Sequence, residues 1–188
     1  QAIFLVLFLI LYGDCIAARQ RIGAVYFFSR ISNRKKWILK EFVWLLFYSV
    51  LYTFCFVGMH MIFSIWGSSE ANLSGTLFKV AFQIGLFLTL LLFEMAVLCN
   101  LFCAAGGSAI GILLSMLCVI GLIMWSTAEV DGMVSEMINP MWLSADIIEN
   151  GGSYIQKIII VFLQTAICAV GTGYYLAKRD LFAREGEG

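Results

Sequence analysis

The chain's 188 residues are 62% hydrophobic and 13% charged, with a mean hydropathy of +0.94. A soluble domain of this size cannot bury so much apolar surface, so lipid has to be part of its solvent. Twelve basic and twelve acidic side chains cancel, which leaves no overall positive field to recruit nucleic acid.

The first apolar run, Ile3 to Tyr12, has no basic residue in front of it. A secretory signal would need a positive leader and a small-residue cleavage site. Residues 1–18 therefore read as the C-terminal part of a first span, in a chain expected to continue before Gln1. A membrane helix needs ~20 apolar residues, and four further runs meet that length: 37–66, 77–103, 108–126 and 154–177. At ~1.5 Å per residue the run from Trp37 to Trp66 exceeds the bilayer core, so it should tilt or project, with its terminal tryptophans at the two interfaces. The fold class expected is all-α, a single polytopic membrane helical bundle over residues 1–188.

Charge sets the expected orientation. Arg19, Arg21, Arg30, Arg34, Lys35, Lys36 and Lys40 share one short segment, and Lys178, Arg179 and Arg184 follow the last span, which accounts for ten of the twelve basic residues. The positive-inside rule puts both groups in the cytoplasm. Four spans separate them, and an even number of crossings returns the chain to the same side. Glu70, Glu129, Asp131, Glu136, Asp146 and Glu149 then face outward. Between the fourth and fifth spans, residues 127–153 mix these acids with Met133, Met137, Met141 and Trp142. Pro140 should divide them into an extracellular pair of short helices at the outer interface, with a plain loop as the alternative.

The segment 22–40 reads IGAVYFFSRISNRKKWILK. Val25, Phe27, Phe28 and Ile31 place apolar groups at helical spacing among basic ones, a pattern suited to a partner protein or to an anionic lipid surface. The run FSRISNRKKWILKEF resembles the loop after the second span of type-2 ABC exporter permeases, where a short coupling helix precedes a basic turn and a lysine entering the next span. The ending GYYLAKRDL resembles the same family's C-terminus, and two tightly joined spans followed by an outer helix pair and a last span fit its plan.

This resemblance implies a cytoplasmic coupling helix over residues 22–33, seated in a groove of a separate ATPase subunit. Phe27 and Phe28 would be its apolar plug, with Val25 and Ile31 beside them and Arg30, Arg34 and Lys35 at its rim. It also implies a second permease subunit, as a homo- or heterodimer, in a bacterial plasma membrane. The cargo would be an amphipathic or hydrophobic substrate such as a peptide or lipid. This chain would bind no cofactor, because it has no GxxxxGK[ST] loop for a nucleotide phosphate; ATP and Mg would sit on the partner.

Polar groups within spans cost roughly 2.5 to 3.5 kcal/mol each on insertion scales when charged, and so point to contacts. Glu94 is the most conspicuous: either a protonated Glu94 hydrogen-bonds another helix, or the carboxylate meets a cationic group on substrate. Gln83, Asn100 and Gln164, with His60, read as interhelical hydrogen-bonding groups and candidate substrate contacts. The six cysteines lie in apolar stretches as small hydrophobes. Cys99 and Cys103 share a helix face but lack further ligands, and the single His leaves no zinc motif. Two rows of small residues, Gly107/Gly111/Ser115 and Ala169/Gly173/Ala177, should allow close helix packing. An intramembrane enzyme has no supporting motif here. A non-catalytic sensor or immunity protein that binds a toxin at its acidic outer face is the alternative function.

Overall fold

The computed structural model describes residues 2–23, 34–67, 75–127 and 154–178. These form six helices: α1 (Ala2–Tyr12), α2 (Cys15–Gly23), α3 (Arg34–Gly67), α4 (Gly75–Gly106), α5 (Ser108–Thr127) and α6 (Tyr154–Lys178). Taking α1 and α2 together, five segments are long and apolar enough to cross a membrane. No strand occurs among the described residues. The chain is thus a helical integral membrane protein in its architecture.

Helix α4 is the hub. Every side chain from Leu91 to Val97 is buried, so this stretch is enclosed on all sides. It packs against α1, α2, α3, α5 and α6. Leu5, Phe8, Leu9 and Ile16 of the first span, Leu45 of α3 and Val119 of α5 share one buried core with Leu92 and Val97 of α4. By contrast, α3 exposes Trp44, Phe47, Phe54, Phe63 and Trp66, which suits side chains that meet lipid.

Two glycines fix how α4 and α5 meet. Gly107, the single residue between them, has φ of +96°, a left-handed conformation that strains any residue with a Cβ. One turn later a Cβ on Gly111 would collide with the backbone and thiol of Cys103, so only glycine permits this approach. Gly111 and the buried Ser115, whose Oγ donates to the Gly111 carbonyl at 2.8 Å, thus act as a packing row. Gly107 does not: the space around it is open, and it is the turn. In the second row, Gly173 of α6 lies against Phe42 and Ile38 of α3, within the same chain.

An aromatic seam joins α1 to α3. Phe4 lies against Tyr52 and Phe56 at centroid separations of 4.6 and 4.0 Å, Phe8 against Tyr52 at 5.1 Å, and Tyr12 is stacked on Tyr48 at 5.0 Å.

The structure departs from the expected spans in three places. The first span is broken, α1 stopping at Tyr12 and α2 starting at Cys15 after the Gly13–Asp14 turn. Ile22 and Gly23, expected to open the coupling helix, belong to α2; the rest of that segment lies outside the described residues. Arg34, Lys35 and Lys36, expected in a loop, form the first turn of α3. The proposed outer helix pair, beyond Thr127, also lies outside the described residues.

Candidate functional site

At one end of the bundle α2, α4 and α6 finish while α3 and α5 begin. The positions of Arg19, Arg34, Lys35, Lys36, Lys40 and Lys178 therefore gather at this end. Here Arg19 Nη1 of α2 donates to Glu41 Oε2 of α3 at 2.6 Å. The Arg19 side chain is 52% exposed and that of Glu41 8%, so the carboxylate has left most of its water for this partner. The pair ties together the two helices that flank residues 24–33. A helix N-terminus carries partial positive charge and favours acids, yet the first turn of α3 has three basic residues and no acidic one. Helix stability alone does not account for that choice.

Val25, Phe27, Phe28, Arg30 and Ile31 lie outside the described residues. Of the remaining candidates on this segment, Arg34 is half-buried and Lys35 exposed, both at the start of α3.

Farther into the bundle, Asn100 of α4 holds the break in the first span. Its Oδ1 accepts the backbone N–H groups of Ile16 at 2.9 Å and Ala17 at 3.1 Å, and its Nδ2 donates to the Ala96 carbonyl at 2.8 Å. Those two N–H groups are the ones a helix N-cap side chain normally takes. Asp14 occupies the cap position of α2, its carbonyl accepting from the Ala18 N–H, but its side chain turns away: Oδ2 accepts from Ser108 Oγ at the start of α5, at 3.0 Å. A residue on α4 thus caps α2, while the local cap residue joins α2 to α5. Beside them the Cys99 and Cys103 thiols are 3.9 Å apart and face the carbonyls of Gly111 and Ser108. No group of three or more metal-binding side chains occurs among the described residues.

Glu94, 4% exposed, is anchored to α6, where Thr165 Oγ1 donates to its Oε2 at 3.3 Å. Counting the helical rise, Gln83 is ~16 Å and Asn100 ~9 Å from this level along α4. The polar candidates therefore stand at separate levels. Asn100 is committed to α2 and Glu94 to α6, while Gln83 and Gln164 are half-buried. His60 is exposed, with its ring edge-on to Phe56 at 4.4 Å.

Toward the opposite end, α3 and α4 leave a groove of about 480 Å³ between residues 50–61 and 78–90. Its lining is apolar apart from the hydroxyls of Thr53 and Thr89. Thr89 Oγ1 donates to its own helix at Gly85 O, 2.9 Å away, whereas Thr53, 2% exposed, has no partner for its hydroxyl.

Glu41, Asp14, Thr165 and Thr53 were not singled out by sequence reasoning. Asp14 had a local signal, a Gly-Asp pair interrupting an apolar run. Glu41 is hidden among basic residues, and Thr165 and Thr53 are single hydroxyls in apolar helices with nothing nearby to mark them. Compared with known proteins, the chain matches no family model, no curated protein and no solved structure.

Proposed function

We propose that this chain is the permease subunit of an ATP-driven exporter, with its basic end in the cytoplasm and a separate ATPase docked on residues 22–35. The observation that carries this reading is the Arg19–Glu41 pair. A segment pushed by a partner moves a membrane domain only if its two flanking helices move together. With α2 and α3 pinned by this ion pair, force on residues 24–33 reaches both, and the 34-residue α3 carries it across the bilayer as one rod. The three basic residues opening α3, set against the helix dipole, suit an acidic or anionic surface beside them.

In this reading Phe27 and Phe28 fill an apolar groove on the ATPase, and Arg30, Arg34 and Lys35 contact its rim. ATP and Mg reside on that partner. A second permease subunit completes the pathway for an amphipathic or hydrophobic substrate, as the resemblance implies. The test is to co-purify the full-length protein with the ATPase encoded beside it and measure ATP hydrolysis in lipid. A stable complex, lost on replacing Phe27 and Phe28 with Asp, is the expected result. Should no such ATPase bind, the exporter reading fails, and a sensor or immunity protein that works without an ATPase takes its place.

A further inference from the structure

The groove between α3 and α4 has a size and setting that the exporter reading does not use. Its residues span 50–61 on α3 and 78–90 on α4, facing each other in antiparallel order, with Gly85 beside Thr53 and Val57. At ~1.5 Å per residue this is a channel ~17 Å long. It starts close to where α3 ends and α4 begins, at Gly67 and Gly75, and runs inward. One leaflet of a bilayer contributes ~15 Å of hydrocarbon. The groove thus follows a single leaflet from interface to midplane, the path of one lipid chain.

Its chemistry agrees. Apart from two hydroxyls the walls are hydrocarbon and aromatic, and the flanking Phe54 and Phe82 are 77% and 70% exposed. The Thr53 hydroxyl is covered and the Thr89 hydroxyl is bonded within its own helix, so the walls offer little to water and suit a hydrocarbon chain. At the mouth, Lys79 is exposed and stands three and seven residues before Phe82 and Leu86, on the same helix face as these two lining residues. It is one of only two basic residues outside the two basic stretches.

We propose that the α3–α4 groove binds a single acyl chain of an anionic amphiphile, with the Lys79 ammonium holding the headgroup. The chain enters from the leaflet farther from the Arg19–Glu41 end and lies along Gly85 toward the midplane. This inference rests on the protein being embedded in a bilayer and not on an ATPase partner.

The test uses the full-length protein in phosphatidylcholine nanodiscs, with a lysophosphatidylglycerol that carries a photoactivatable diazirine at mid-chain. Adducts mapped by peptide mass spectrometry are expected to concentrate within residues 50–61 and 78–90 and to be competed by unlabelled lysophosphatidylglycerol. Filling the groove with Ala81→Phe or Gly85→Leu should reduce this labelling by about tenfold, the equivalent of displacing two methylenes, with thermal melting checking that each variant is folded. The exposed Lys79→Glu does not depend on repacking. By removing a positive charge and adding a negative one it should weaken competition by lysophosphatidylglycerol at least about fivefold and leave that by lysophosphatidylcholine unchanged. Adducts spread evenly over α5 and α6, as for annular lipid only, would overturn the proposal. So would folded groove-filling variants that label like the wild type, or a Lys79→Glu protein with unaltered competition. Because no ATPase is present, these results stand apart from the outcome of the co-purification.

Discussion

The carboxamide oxygen of Asn100 accepts the backbone N–H of Ile16 at 2.9 Å, across 84 residues of sequence. Together with the bond to Ala17 it places the start of α2 under the control of α4. Asn100 is fully buried, so water cannot replace it. Asn100→Ala should destabilise the bundle by about 2 to 4 kcal/mol, combining a lost cap with the loss of the buried acceptor that serves the Ile16 and Ala17 N–H groups. Unfolding in mixed micelles, followed by circular dichroism, measures this. A cost below ~0.5 kcal/mol would mean that α2 does not need the cap.

The Arg19–Glu41 pair calls for a double-mutant cycle. An exposed pair is worth up to ~1 kcal/mol, while breaking a fully buried one costs ~3 to 5 kcal/mol. With one partner exposed and one buried, Arg19→Ala should cost about 1 to 3 kcal/mol. Arg19→Ala in a Glu41→Gln background should cost distinctly less, because no buried carboxylate is then stranded. Additive losses would show that the two side chains act independently.

Gly111→Ala adds one methyl group where α5 presses on Cys103. The helices must separate, and a loss of about 1 to 3 kcal/mol is expected. Cys103→Ala in the same protein should relieve only part of it, because the Cys103 backbone is also in the way. Full rescue in the unfolding assay would show that the thiol alone sets the spacing.

Glu94 separates structure from transport. Gln keeps an acceptor for Thr165 but adds a buried NH2 group, so Glu94→Gln should remain folded at a cost of no more than about 1 to 3 kcal/mol. If the carboxyl group contacts a cationic part of the substrate, the same variant loses transport while remaining folded. Transport by Glu94→Gln at the wild-type rate and specificity would dismiss that contact.

The long elements were legible because a run of ~20 apolar residues has few alternatives to spanning a bilayer. The span expected over 37–66 is α3 from Arg34 to Gly67, and that over 154–177 is α6 from Tyr154 to Lys178. Helix ends shifted by a few residues because backbone hydrogen bonding continues past the apolar run into Arg34–Lys36 and Ala104–Gly106. The Gly13–Asp14 break left a local mark in its Gly-Asp pair, but the group that stabilises it, Asn100, is on another helix and left none. Glu94 and Asn100 stood out as polar groups in apolar helices, but their partners did not: a threonine and two backbone amides leave no mark at a distance in sequence. Sequence also could not tell the two glycines of the α4–α5 junction apart, one setting the turn and the other the packing.

The Gly107 junction bears on how the chain is made. With one residue between them, α4 and α5 present no loop for a protease or a water-soluble label to reach. Two spans joined by one residue are neighbours as soon as both are made, so their pairing has almost no loop entropy to overcome. Cys103 and Gly111, only eight residues apart, are brought together locally. An epitope inserted at Gly107 should therefore loosen the seating of Gly111 on Cys103 and destabilise the bundle.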